Sequence, residues 1–305
     1  LVLLGRKCLL LLSYGGPRNP EEIEPFVLRV TSNRATPEVL RKARERYLAI
    51  GGYSPVVGDT EALALKLSQI IEDFSVGYGF RFTEPTVEDV VAEKLKEGFK
   101  EFRLFAFNPF YSDWSVKGYL EPVKKAVAKT GIYTSRFFLI SDFYTEESYL
   151  NLWIDLMRKA MNAFVPDRIV FTTHSLPLDD AGVSVYESQF KIFAKLIAEK
   201  LGLNNYLLAY QSRGQRGNRW LEPDIATVIQ SLDRKEKILV VPAGFLQENL
   251  ETLYDLDLEV KNLCEKMEIA YQRTGTPLTH IDFPDVLKGF LKKDHLWAEV
   301  KVELV

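Results

Sequence analysis

Seven short apolar runs constrain this chain more than any other feature: Lys7–Ser13, Gly77–Phe82, Phe102–Phe107, Thr134–Ile140, Arg168–Thr173, Tyr206–Tyr210 and Lys237–Pro242. They are rich in Leu, Val, Ile and Phe, do not alternate apolar with polar, and mostly end at charged or turn residues. A strand without alternation is buried on both faces, so it belongs to a parallel sheet covered by helices. Between the runs lie helical patterns: Leu63, Leu67, Ile70 and Ile71; Val91, Leu95 and Phe99; Phe190, Phe193, Leu196 and Ile197. The alternation predicts α/β architecture. The runs form two sets divided near Ser141–Thr145. Two similar doubly wound domains with parallel sheets flanked by helices are therefore expected, over 1–142 and 143–282, followed by a C-terminal helix and tail over 283–305.

At 305 residues and 47% hydrophobic, the chain can bury such cores. Its net charge of -3 supplies no basic face for nucleic acid, so no nucleic-acid partner is expected. Two cysteines, Cys8 and Cys264, are too few for a disulfide framework, a cysteine-held cluster or a structural zinc site. Each is expected to pack as a small hydrophobe, in keeping with a reducing, cytoplasmic setting. The apolar opening is interrupted by Gly5-Arg6-Lys7. Neither part reaches the ~20 residues of a membrane span, and the order of charge and apolar core is not that of a signal peptide.

In doubly wound sheets, ligands bind beyond the carboxyl ends of the strands. Four segments follow predicted strands there: Tyr14-Gly15-Gly16-Pro17, Asn108-Pro109-Phe110-Tyr111-Ser112, His174-Ser175-Leu176-Pro177 and Ala243-Gly244-Phe245. No Gly-x-Gly-x-x-Gly follows the first run and no Walker-type loop is present, which removes the usual support for nucleotide binding. His174 is one of three histidines. An imidazole with an ordinary pKa of about 6.5 can accept a proton or hold a metal; a loop histidine bonded to nearby backbone is the plainer alternative.

Glu251, Asp255 and Glu259 are spaced i, i+4, i+8, which on an α-helix forms one stripe flanked by Leu250, Leu253, Tyr254 and Leu258. Such a stripe is ordinarily a solvated face. Here like charges follow one another with no Lys or Arg before Lys261, and a run of hard oxygen ligands leading to a histidine suits passage of a divalent cation. Gly51-Gly52-Tyr53-Ser54-Pro55 closes a helical stretch over Pro37–Ile50 as a cap and turn. Arg213, in Tyr210-Gln211-Ser212-Arg213, has the fork that matches a carboxylate.

Taken together and in order, these segments resemble the ferrochelatase family. Thr173-His174-Ser175-Leu176-Pro177 is similar to its histidine signature; Tyr210-Gln211-Ser212-Arg213 with Trp220-Leu221-x-Pro223 to its second motif; and Pro242 through Asp257 to its glutamate motif. Ile50-Gly51-Gly52-Tyr53-Ser54-Pro55 and Tyr14-Gly15-Gly16-Pro17 also fit, and the likeness spans essentially the whole chain. The resemblance implies a porphyrin cleft between two similar α/β domains and insertion of Fe²⁺ into protoporphyrin IX or coproporphyrin III in heme biosynthesis. It implies His174 and Glu251 as catalytic and metal-site pair, with Asp255 and Glu259 continuing an acidic path for metal or protons. Porphyrin and ferrous iron are then the partners, iron is a substrate, and no prosthetic group or iron–sulfur cluster is expected. Tyr14 matches members that use coproporphyrin III, whereas Arg213 in its Gln-Ser-Arg context looks more like protoporphyrin-using members. Asn249 departs from the family, which often has histidine there, and the tail from Trp297 has no counterpart.

On that reading Tyr14, Arg29, Ser54, Tyr111, Tyr119 and Arg213 are the substrate-binding candidates, with Phe26, Tyr53, Phe110, Trp114 and Arg34 as further wall or propionate contacts. A porphyrin bent in its site would expose pyrrole lone pairs to the metal, at a strain of ~1–5 kcal/mol drawn from remote contacts. Proton acceptor and metal ligand are roles that His174 and Glu251 share in either order. A monomer is expected, with a peripheral membrane contact through Phe26-Val27-Leu28 as one option. The competing readings are a sister chelatase inserting cobalt into another tetrapyrrole, a non-catalytic two-domain binding protein, and a hydrolase. The Tyr-Gln-Ser-Arg and Trp-Leu-x-Pro motifs favour the iron enzyme, and no Gly-x-Ser-x-Gly elbow supports the hydrolase.

Overall fold

The computed structural model describes residues 6–214 and 219–302. The chain divides into two compact units. One holds residues up to Phe107, Ser115–Ser141 and those from Pro284; the other holds Asn108–Trp114 and Asp142–Phe283.

In chain order the elements are β1 (Arg6–Ser13), α1 (Ile23–Val30), α2 (Pro37–Ala49), α3 (Val56–Ile70), β2 (Ser75–Phe80), α4 (Val87–Lys96), β3 (Phe99–Ala106), α5 (Gly118–Thr130) and β4 (Arg136–Ile140). There follow α6 (Glu147–Ala163), β5 (Arg168–His174), α7 (Val183–Leu201), β6 (Tyr206–Gln211), α8 (Ile225–Gln230), β7 (Lys237–Val241), a π-helix (Glu251–Val260), α9 (Lys261–Lys266) and β8 (Ala270–Arg273). The last elements are α10 (Phe283–Phe290) and β9 (Trp297–Val300).

The first sheet has the order β2-β1-β3-β4-β9 and the second β6-β5-β7-β8. Each therefore runs second, first, third, fourth in its own strand count, and the first four strands of each are parallel. This shared order is the physical content of the expected likeness between halves that share no close sequence repeat. All seven apolar runs form strands, and β1 shows why: Leu9 to Leu12 are fully buried because both faces of the sheet are covered.

The sequence pattern misses β8 and β9. Each has only four residues and lies at a sheet edge, where half-exposed side chains leave no apolar run. The tail from Trp297 thus has a place: β9 pairs antiparallel with β4, so the first sheet is mixed rather than wholly parallel. The buried Trp297 indole donates to the Phe290 carbonyl at 2.8 Å and fixes that strand to α10.

Helix ends follow local chemistry. The Thr36 hydroxyl accepts from the Val39 amide and Pro37 opens α2. The same helix stops at Gly51 and Gly52, whose φ of 104° and 84° only glycine adopts readily. Cys8 and Cys264 are free and buried, and burial pushes their thiols up to about 12 and about 11. In the first unit Phe102 is fully buried and stacks on Phe137 at 4.8 Å. Phe102→Ala is expected to cost about 3–5 kcal/mol of stability, read from urea denaturation of the whole chain.

Candidate active site

A sheet ordered second-first-third has its topological switch between the first and third strands, and ligands bind outside the strand ends there. In the second unit those strands are β5 and β7, which pair directly from Arg168↔Ile238 to Phe171↔Val241. His174 is the last residue of β5, and the chain leaving β7 carries Glu251. Gly244 makes the approach possible. Its amide donates to the Thr172 carbonyl at 3.3 Å, and a Cβ there would lie 1.9 Å from the Thr173 hydroxyl.

His174 Nε2 and Glu251 Oε1 are 3.2 Å apart, with both side chains about one third exposed. His174 Nδ1 faces the Ser175 carbonyl at 2.5 Å. Both ring nitrogens thus meet acceptors, an arrangement that suits the doubly protonated imidazolium. Burial opposes that charge. Glu251, its hydrogen bond, the Ser175 carbonyl and Asp255 outweigh it, so the His174 pKa is raised. Beneath the ring, the Tyr186 hydroxyl donates to the His174 carbonyl at 3.1 Å and lies 2.5 Å from the Thr173 hydroxyl.

The acidic segment is not the expected α-helix but a π-helix over Glu251–Val260. Bonds of type i→i+5 widen the coil, and such turns are rare and often sit at functional sites. Residues four apart then fall just short of a full turn. Asp255 is buried and accepts from the Ser212 hydroxyl, while Glu259 is exposed. Among the described residues no three His, Cys, Asp or Glu side chains gather to hold one metal ion. The structure therefore brings His174 and Glu251 together and leaves Asp255 and Glu259 as separate positions along the helix.

The Gln211-Ser212 pair at the end of β6 explains its motif physically. The Gln211 amide donates to the Glu251 carbonyl at 3.2 Å and to the Ser212 hydroxyl at 3.3 Å, while its oxygen accepts from Thr172 at 3.1 Å. Asn249 caps the same helix: its side-chain oxygen accepts from the Glu251 and Thr252 amides at 2.8 and 3.1 Å. Arg213 is exposed. Tyr111 is held by its amide donating to Gln189 at 2.6 Å and its hydroxyl donating to Asp113 at 3.1 Å, and Gln189 in turn donates to Asp142. Phe110 lies fully inside a ring cluster with Tyr186, Phe190 and Phe193. The Trp114 side chain lies outside the described residues.

In the first unit the switch lies between β1 and β3, and Tyr14 follows β1. Its ring is 38% exposed and packs against Phe82 at 4.7 Å and Phe26 at 6.3 Å. Gly15, with φ 88°, leads into Gly16, whose amide donates to the Thr83 hydroxyl. Ser54 is buried against Gly16, where a Cβ would meet it at 2.5 Å. Arg29 is exposed and donates to the Phe82 carbonyl at 3.2 Å; Arg34 and Tyr53 are exposed as well. Tyr119 is buried, and burial raises its phenol pKa well beyond the ordinary range. Phe26 and Val27 are buried in this unit and Leu28 is partly exposed. Sequence reasoning passed over Arg81, whose guanidinium rests on Gly118 and lies over the Phe82 ring at 4.9 Å. It also passed over Tyr186 and Thr83, because a lone buried hydroxyl leaves no periodic signal.

Two doubly wound units of this kind make a chelatase-like fold. The solved structure titled "SirB from Bacillus subtilis with Fe3+" has this fold: TM-score 0.63 at 11% identity, covering 94% of this chain and 95% of that one. The sirohydrochlorin chelatase SirB from Bacillus subtilis subspecies spizizenii, in complex with cobalt, gives 0.60 at 11% identity, covering 94% of each. The family model described as ferrochelatase matches residues 6–295. The coproporphyrin III ferrochelatase of Oceanobacillus iheyensis is 33% identical over 303 residues, covering 93% of this chain and 96% of that protein. That of Bacillus subtilis is 31% identical over 302 residues, with the same coverage. The chain belongs to the ferrochelatase family, and it is an enzyme that inserts ferrous iron into a porphyrin in heme biosynthesis.

Two outcomes test the geometry. Glu251→Gln removes the strongest support for the His174 proton, so the His174 midpoint in an NMR titration is expected to fall; an unchanged midpoint would contradict the pairing. Gly244→Ala forces atoms into the Thr173 hydroxyl and is expected to cost about 1–3 kcal/mol in a denaturant melt.

Proposed function

We propose that iron insertion takes place at the His174–Glu251 pair and that the porphyrin is coproporphyrin III. The observation that carries the first part is the 3.2 Å approach of imidazole and carboxylate at a switch point. A free-base porphyrin gives up two N–H protons as the metal enters, so the site needs a proton acceptor and oxygen or nitrogen lone pairs together. A ferrous ion arriving beside His174 competes with the Nε2 proton and expels it, since metal ligands bind deprotonated. Glu251 then takes up proton or metal charge, and the two side chains act as one coupled unit. Asp255 and Glu259, further along the π-helix, supply the acidic path by which a divalent cation or proton moves to or from the pair. Iron enters as substrate in this reading.

The porphyrin choice is supported by relatives at 31–33% identity that carry the coproporphyrin III name. Coproporphyrin III has more propionates than protoporphyrin IX, and in the first unit exposed Arg29 is suited to a carboxylate and exposed Tyr14 to the ring. Ser54 and Tyr119 act beneath that surface, Ser54 by seating Gly16 and Tyr119 by packing. Among the described residues no helix is long and apolar enough to cross a membrane. A monomer is the proposed active form, and the buried free thiols suit a cytoplasmic setting.

His174→Ala is expected to abolish Fe²⁺ or Zn²⁺ insertion, followed by the porphyrin absorbance change, while circular dichroism shows the fold intact; near wild-type activity would sink the assignment. In side-by-side assays, kcat/KM is expected to be at least about tenfold higher for coproporphyrin III than for protoporphyrin IX, and each extra bidentate contact is of a size to produce that difference. The reverse order would overturn the porphyrin choice and leave the pair standing.

A further inference from the structure

The acidic π-helix is gripped from behind by one buried side chain that the reaction scheme does not use. Arg273 ends β8, and its backbone pairs in register with Val240 of β7. Its side chain is 10% exposed. The guanidinium forks onto Asp257, with Nε to Oδ1 at 2.8 Å and the terminal nitrogen to Oδ2 at 2.7 Å. Its other nitrogen donates to Glu248 Oε1 at 3.0 Å and to the Thr274 carbonyl at 2.9 Å. All three nitrogens of the fork therefore donate to protein oxygens.

The grip brackets Glu251, since Glu248 precedes it and Asp257 follows it. The hold continues inward. The second Glu248 oxygen accepts from the buried Thr252 hydroxyl at 2.6 Å, and that hydroxyl also accepts from the Asn249 amide at 3.0 Å. Asn249 in turn caps the Glu251 and Thr252 amides. A continuous run of hydrogen bonds thus links Arg273 to the backbone that aims the Glu251 carboxylate. Ten residues is a long stretch for so rare a coil, so the segment that starts at Glu251 depends on the tertiary contacts that hold it.

We propose that Arg273 is a positioning residue for metal insertion, holding both ends of the Glu251 segment so that the carboxylate stays against His174. This rests on the reading that the pair is the insertion site. Lysine is no substitute, because one ammonium cannot span Asp257 bidentately and reach Glu248 as well. A cavity of about 290 Å³ lined by Asp257, Lys261, Tyr271 and Thr274 opens beside the fork, so a small guanidinium ion can reach the space that Arg273→Ala would leave.

The test is Zn²⁺ insertion kinetics on the full chain for Arg273→Ala, Arg273→Lys, Asp257→Asn and His174→Ala, each with and without millimolar guanidinium chloride. Arg273→Ala is expected to lose about 10- to 100-fold in kcat, the scale of a misplacement near 1 Å, with KM for porphyrin within about twofold. Guanidinium is expected to restore several-fold of that loss in Arg273→Ala and none in His174→Ala, and Arg273→Lys is expected to stay close to Arg273→Ala. Asp257→Asn, which leaves the fork in place and weakens one half of its hold, is expected to lower kcat more modestly; it decides the matter if Arg273→Ala does not fold. A wild-type kcat in Asp257→Asn or Arg273→Ala, or a loss confined to KM, would overturn the positioning role while a dead His174→Ala keeps the insertion site in place. An active His174→Ala would instead remove the site reading itself.

Discussion

The direct pairing of β5 with β7 is the constraint on which the candidate site depends. Parallel neighbours end on the same edge of the sheet, so the residues leaving both strands must share the space beyond them. The bare Cα of Gly244 lets the chain leaving β7 pass against Thr173, and the next turn of structure delivers Glu251 to His174. A side chain at that position would push the acidic segment outward, and the 3.2 Å contact is too short to absorb such a shift.

Around that contact the second unit spends its buried polar groups on orientation. Tyr186 fixes the His174 backbone and the Ser175 carbonyl its imidazole, Gln211 and Ser212 fix one side of the π-helix, and Asn249, Glu248 and Arg273 fix its start and far side. Few of these groups are needed for the hydrophobic core, which is completed by residues such as Val170, Ile238, Val240 and Leu256. A network satisfied at each member rigidifies the segment it encloses, whereas one missing member leaves a buried group unpaired. Asn249 belongs to that network through its short amide, whose oxygen caps the helix.

The seven central strands and the site-facing strand ends were legible in the sequence because fully buried strands leave continuous apolar runs and because a parallel sheet gives its carboxyl edge to ligands. His174 and Glu251 stood out by type and place. Three kinds of feature were not legible. Short edge strands such as β8 and β9 carry half-exposed residues and no run. Nothing in the residue types marks a π-helix, so spacing read on an α-helix makes Glu251, Asp255 and Glu259 one stripe. Long-range polar partners such as Arg273 with Glu248, or Gln189 with Asp142, are set by tertiary packing. Burial also redistributed the candidates: Tyr14, Arg29 and Arg213 are exposed, while Ser54, Phe110 and Tyr119 lie inside.

The central claim is that His174 and Glu251 form one reacting unit, and a double-mutant cycle on insertion rates tests it most directly. Single-turnover Zn²⁺ insertion would be measured in wild type, His174→Ala, Glu251→Gln and the double variant. Residues that act as a unit are strongly non-additive, so the double variant is expected to lose no more than the worse single. Losses that multiply, each residue contributing independently, would contradict the account.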